Sequence, residues 1–303
     1  MTSKEKAYQI WCAINPILIQ VFIMNVSYGV FFGIYAAYTV TDALPLFNLE
    51  RSLGRVGLLL LDPDLLFFLI SNIICTVYFL PIWIATKKSN PVYHNTNSIA
   101  KTAIIVALSF IGLNLLQAHI HIVSRLGNIL AYQEVSEPNY SGNPVVSFLY
   151  LVLAAPIVEE ICYRGIVTNR LLMCTKPWVT VFIQAILFGF MHLNYFQGIV
   201  AFFSGLCLGL LYLRFRKLLL CVVGHSAFNF LYFYVRVLHQ SNSADISEYT
   251  PEMITQVSFW YMFVPGVILC VIGMLLLSKQ PAAVLVEASP VGHQDSYAHE
   301  LPV

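Results

Sequence analysis

Two adjacent carboxylates, Glu159 and Glu160, stand with Arg164 in the stretch PIVEEICYRG, directly after the apolar run VVSFLYLVLAA. An ionisable group inside a hydrophobic span costs roughly 3 kcal/mol unless it is paired or hydrated, so such groups mark a function by default. On a helix, Glu160 and Arg164 are i,i+4 neighbours that can pair, while Glu159 faces elsewhere. One carboxylate with a local cation and one without is an arrangement suited to acid/base work. Further along, FGFMHL places His192 one turn after Phe188, and GHSAFN places His225 and Asn229 at i,i+4. Counting about 1.5 Å of rise per residue puts Glu159, His192 and Asn229 within a turn or two of one depth, with His225 somewhat nearer the cytoplasm.

A carboxylate with a neutral imidazole can hold and deprotonate a water, directly or on a metal. A second imidazole and an amide can donate hydrogen bonds to a developing oxyanion. That is the chemistry of amide hydrolysis by activated water. A covalent nucleophile fits less well: Ser226 lies off the face shared by His225 and Asn229. Cys162, at i,i+3 from Glu159, has a carboxylate beside it rather than the base or cation that activates a thiol. Neither HExxH nor GxSxG occurs.

The elements that must position these groups are membrane helices. Of 303 residues, 58% are hydrophobic and only 10% charged, and the mean hydropathy is +0.75, values of a polytopic membrane protein rather than a soluble domain. A net charge of +1 with no basic run gives no footing for nucleic acid. The seven cysteines are scattered without a CxxC, which reads as apolar packing and not as disulfides or a thiolate metal site. Apolar segments at about 10–38, 65–85, 103–123, 145–173, 178–195, 199–213, 218–238 and 259–277 predict an all-α bundle of about eight transmembrane helices, the sixth short for a span.

Within these segments Gly29 and Gly33 form a GxxxG pattern that predicts close approach by another helix. Asp62-Pro63-Asp64 separates a short interfacial helix around 58–61 from the second span. His119 and His121, at i,i+2, face different sides of a helix and are expected to serve interfacial or packing roles. Residues 1–278 read as one integral-membrane domain with a catalytic core at about 144–238, and 279–303 as a polar, disordered tail. If the amino terminus is cytoplasmic, the inside segments collect most of the Lys and Arg, among them Lys87, Lys88, Lys176 and Lys217. The outside ones gather Asp245, Glu248 and Glu252. Both termini are therefore expected in the cytoplasm, with the chain in the inner (cytoplasmic) cell membrane.

The ordered set EExxxR at Glu159, Glu160 and Arg164, FxxxH at Phe188 and His192, and HxxxN at His225 and Asn229 is similar to that of the CPBP family. This family of intramembrane proteases includes type II CAAX prenyl endopeptidases. The resemblance covers residues 144–238. It implies that Glu159 and His192 activate the water and that His225 and Asn229 stabilise the oxyanion. Glu160 with Arg164 would brace the helix or position the peptide, with Phe188 supporting. It also implies a peptide or membrane-protein substrate in the bilayer: a prenylated CAAX protein, a leader peptide or another membrane protein would each suit. The resemblance leaves the metal open; Glu159, His192 and His225 could hold zinc or another divalent metal with an open position. The rival readings are an ion- or proton-coupled transporter and a non-catalytic membrane scaffold or immunity protein. Against transport, no repeated half with matching interrupted spans is visible.

Overall fold

The apolar segments fold as helices. A computed structural model describes residues 2–40, 63–89, 92–94, 98–126, 144–192, 195–241, 250–281 and 284–286. Among these residues eight helices follow one another: α1 (Ser3–Val40), α2 (Pro63–Ser89), α3 (Ile99–Leu126), α4 (144–172), α5 (Pro177–Phe190), α6 (Tyr195–Phe215), α7 (Leu218–Ser241) and α8 (Pro251–Ser278). The protein is a helical membrane bundle. Five of its helices, α1, α2, α3, α6 and α8, are long and apolar enough to cross a bilayer outright. A short antiparallel ribbon pairs β1 (Val92–His94) with β2 (Val284–Val286), Val92 opposite Val286. β2 thus gives three residues of the tail a strand pairing, whereas the sequence predicts no structure there. Residues 287–303 lie outside the described residues, as does the 58–61 segment for which an interfacial helix is predicted.

The fifth and sixth segments reverse the lengths read from sequence. α5 has 14 residues and α6 has 21, because the chain turns back earlier than its apolar content suggests. A Cβ built on Gly189 would lie 2.7 Å from the carbonyl oxygen of Gly198, so the two backbones meet at the reversal. At about 1.5 Å per residue α5 is only about 21 Å long.

In hydrocarbon, helices associate by close packing rather than by escape from water, and small residues permit it. The crossing of α3 and α8 shows this: a Cβ on Gly112 would sit 2.7 Å from both the Cys270 nitrogen and the Gly266 oxygen, and one on Gly273 would strike Ser109 Oγ. Gly112→Val is accordingly expected to force the two helices apart and cost about 1–3 kcal/mol, read as a lower thermal midpoint in detergent. An unchanged midpoint would show that the crossing tolerates a side chain. The GxxxG pair behaves otherwise, since nothing lies within 4 Å of a Cβ on either Gly29 or Gly33. Small residues permit an approach without compelling one, and among the described residues no helix lies against this face of α1.

Two apolar clusters fill the bundle. One joins α1, α2, α4 and α5 around Phe79, Val158, Cys162 and Phe188, and the other joins α3, α6, α7 and α8 around Leu113, Leu208, Phe228 and Leu277. α6 contributes to both, with Ala201 in the first and Leu208 in the second. At its end Arg216 takes a left-handed φ of 51°, closing a tight turn into α7, and its Nη1 donates to Asn169 Oδ1 at 3.1 Å. All seven cysteines are free. His119 bonds Ser258 Oγ at 3.0 Å through Nδ1 and packs on the rings of Phe259 and Phe263, a packing role. The side chain of His121 lies outside the described residues.

Candidate active site

α4 is not a uniform rod. Its central turn, Ala155–Glu160, is flanked by two π-helical stretches, Leu149–Ala154 and Ile161–Thr168. In the first, the Ala155 N–H reaches back five residues to the Tyr150 carbonyl. The second is trimmed by side chains: Thr168 Oγ1 donates to the Tyr163 carbonyl at 2.8 Å and Asn169 Nδ2 to that of Gly165 at 2.8 Å. Such turns are rare and concentrate at functional sites. Here they bracket the two glutamates.

Glu160 and Arg164 are both completely buried and joined at 2.7 Å. Glu160 Oε1 also accepts from His225 Nδ1 at 2.9 Å, so a single carboxylate oxygen gathers a guanidinium from its own helix and an imidazole from α7. Arg164 is held on its other side by the Gly205 carbonyl, 3.4 Å from Nη2, and by the ring of Phe188, 4.7 Å beneath the guanidinium carbon. With Nδ1 engaged by Glu160, His225 has Nε2 left, and that atom lies 3.7 Å from Glu159 Oε2. Glu159 differs from its neighbour in access: its side chain is 22% exposed against 0% for Glu160. One acid is sealed into a charge pair and the other is open to a substrate.

His192 stands just past the end of α5, where the last carbonyls of a helix have no intrahelical donor. Its Nδ1 meets the Phe188 carbonyl at 2.9 Å. A carbonyl only accepts, so Nδ1 carries the hydrogen and Nε2 of the neutral ring keeps its lone pair. Phe188 itself is buried, and both imidazoles stand edge-on to its ring, His192 at 5.0 Å and His225 at 5.8 Å between centroids. Asn229, one turn beyond His225, donates from Nδ2 to the Leu151 carbonyl at 2.9 Å.

The structure therefore sets Arg164, His192 and His225 against the ring of Phe188 and brings both glutamates to His225. It does not hydrogen-bond Glu159 to His192, and the amide of Asn229 is engaged by the α4 backbone. His225 touches both glutamates, while Asn229, expected at the level of Glu159, meets Leu151 instead. Counting rise treats each helix as a straight rod of constant pitch, and the π-helical turns of α4 break that assumption. Among the described residues no three His, Cys, Asp or Glu side chains are gathered as a metal-ligand set. With Nδ1 of His225 on Glu160, Nε2 is the nitrogen left to face a metal, the arrangement in which a carboxylate orients a ligating imidazole. Cys162 is fully buried in the first apolar cluster, away from any substrate.

Sequence reading passes over Gln184. This buried amide donates to the Gly205 carbonyl at 2.7 Å, the same oxygen that Arg164 uses, and so links α5 and α6 behind the ion pair. Its signal was a lone amide one turn before Phe188 in an otherwise apolar helix. A separate cavity of about 330 Å³ between α3, α6 and α7 is lined by Val106, Phe110, Gly224 and Phe228. It opens on a different face of α7 from the one carrying His225 and Asn229.

Residues 141–231 match the family model described as Rce1-like, type II CAAX prenyl endopeptidase Rce1-like. No curated protein and no solved structure matches the chain. The matched stretch runs from just before α4 into α7 and holds every site residue from Glu159 to Asn229. Through this segment, about a third of its length, with its ordered EExxxR, FxxxH and HxxxN motifs, the chain is similar to the type II CAAX prenyl endopeptidases.

Proposed function

We propose that the chain is an intramembrane endopeptidase that hydrolyses a peptide bond with a water activated by Glu159 and His192. The observation that carries this reading is the contrast between the two glutamates: Glu160 is buried with its Oε1 bound to both Arg164 and His225, while Glu159 is part-exposed and faces His225 Nε2. The water sits between the Glu159 carboxylate and the lone pair of His192 Nε2. As its oxygen attacks the scissile carbonyl carbon, Glu159 takes the proton. The carbonyl oxygen gathers negative charge, and His225, carrying a hydrogen on each ring nitrogen with Nδ1 on Glu160, donates to it from Nε2. When the C–N bond breaks, Glu159 returns the proton to the leaving amine. Glu160 and Arg164 hold His225 in place and do not exchange protons with the substrate.

A prenylated CAAX peptide is the first substrate to test, in a panel with leader peptides and unprenylated controls, using the purified protein in detergent. Cleavage that vanishes in Glu159→Gln supports the reading. No cleavage across the panel, with substrate-dependent ion flux in liposomes, would replace it with transport.

The proposed setting is the inner cell membrane with both termini in the cytoplasm. Lys176 and Glu252 are both exposed, so cysteines at these positions report on opposite sides. The first is expected to label from the cytoplasm and the second from outside. Cytoplasmic labelling at Glu252 would overturn the topology.

A further inference from the structure

The carbonyl of Leu151 loses the donor that its helical register would give it. In the π-helical register of Leu149–Ala154 the Ala155 N–H goes to Tyr150. The next residue in that register, which would serve Leu151, is Pro156, and proline has no N–H. A bare carbonyl inside hydrocarbon is a cost that membrane helices avoid by finding a donor. Asn229 Nδ2 supplies it from α7 at 2.9 Å. One turn earlier on α7, His225 Nδ1 donates to Glu160 at 2.9 Å. α7 thus grips α4 at two points, one on each side of Pro156, and Glu159 sits beside the second.

We propose that Asn229 is a positioning residue: it stands in for the N–H that Pro156 lacks, and by fixing the turn ahead of the glutamates it sets Glu159 against His225 Nε2. This rests on the protease reading of the site and gives Asn229 a task other than the oxyanion donation that the family resemblance implies. The device explains why a proline can be carried one turn ahead of the reactive carboxylate. It also makes a specific demand. If the missing backbone hydrogen is restored, Asn229 is no longer needed.

The test is a double-mutant cycle of Asn229→Ala, Pro156→Ala and the pair, purified in detergent, with thermal midpoint, kcat and KM measured for each. Asn229→Ala is expected to lower the midpoint by about 2–4 °C, the scale of one lost hydrogen bond. It should also lower kcat by about 10²-fold with KM nearly unchanged, the scale of a misplaced catalytic group. In the Pro156→Ala background the new N–H serves Leu151, and removing Asn229 should then change neither midpoint nor kcat appreciably. A kcat loss that persists undiminished in that background, with no effect on the midpoint in either, overturns the proposal in favour of direct oxyanion donation. If the wild-type protein cleaves no peptide, the protease reading fails, while the midpoints still decide the proposal: a loss that Pro156→Ala does not recover overturns the cap. If Asn229→Ala does not fold, folding of the pair supports the cap and its failure to fold overturns it.

Discussion

Glu159→Gln is expected to slow cleavage by about 10²- to 10⁴-fold, the range for loss of a general base, with the bundle intact. Glutamine keeps the size of the side chain and much of its hydrogen-bonding capacity. The change also strands no partner, because the side chain that Glu159 meets among the described residues is His225, through Nε2 at 3.7 Å, and His225 stays anchored on Glu160. Circular dichroism and the thermal midpoint should therefore match wild type while turnover collapses. Near-normal cleavage by this variant would show that the water is activated elsewhere.

Arg164→Ala should act on the fold first. Glu160 and Arg164 have no exposed surface at all, and breaking a buried pair by removing one partner costs about 3–5 kcal/mol because the other charge is left uncompensated. His225 remains on Glu160 Oε1 and softens the loss. The packing of the guanidinium on Phe188 disappears with it, whereas the Gly205 carbonyl keeps Gln184 as donor. Lower yield and a lower midpoint are expected together with lower activity. Adding Glu160→Gln, which removes the stranded charge, should recover part of the midpoint. Arg164→Lys should fall short of wild type, since one ammonium cannot reproduce the planar fork that reaches Glu160 and Gly205 and lies over the ring. A stable, fully active Arg164→Ala protein would show that the pair is dispensable.

Much of this arrangement is written in short stretches of sequence, and what is not depends on a second helix. Apolar runs of span length locate the helices because length and hydropathy are properties of one segment. The Glu160–Arg164 pair is legible for the same reason, both partners lying on one helix. The end of α5 is not, because it is decided by Gly189 meeting the backbone of Gly198. Gly29 and Gly33 mislead in the opposite direction: the pattern is present and no helix among the described residues uses it, while Gly112, Gly266 and Gly273, which have no mutual GxxxG spacing, form a close helix crossing. The partners of His225 were hidden by the π-helical turns, which change the pitch of α4. Pro156 was the visible mark of that change, in a sequence whose charges drew the eye elsewhere.

Hydrolysis consumes one water for every bond cut, and the hydrocarbon interior of a bilayer supplies none. α5 is about 21 Å long against a hydrocarbon core about 30 Å thick, roughly 9 Å too short to cross it. His192 stands at its end, just past Phe190. Above it the bilayer must thin or admit solvent to cover the missing length. The reversal at Gly189 and Gly198 that cuts the helix short would therefore also open a way for solvent toward His192, and the hydrolysis proposed for this site would take its water by that route.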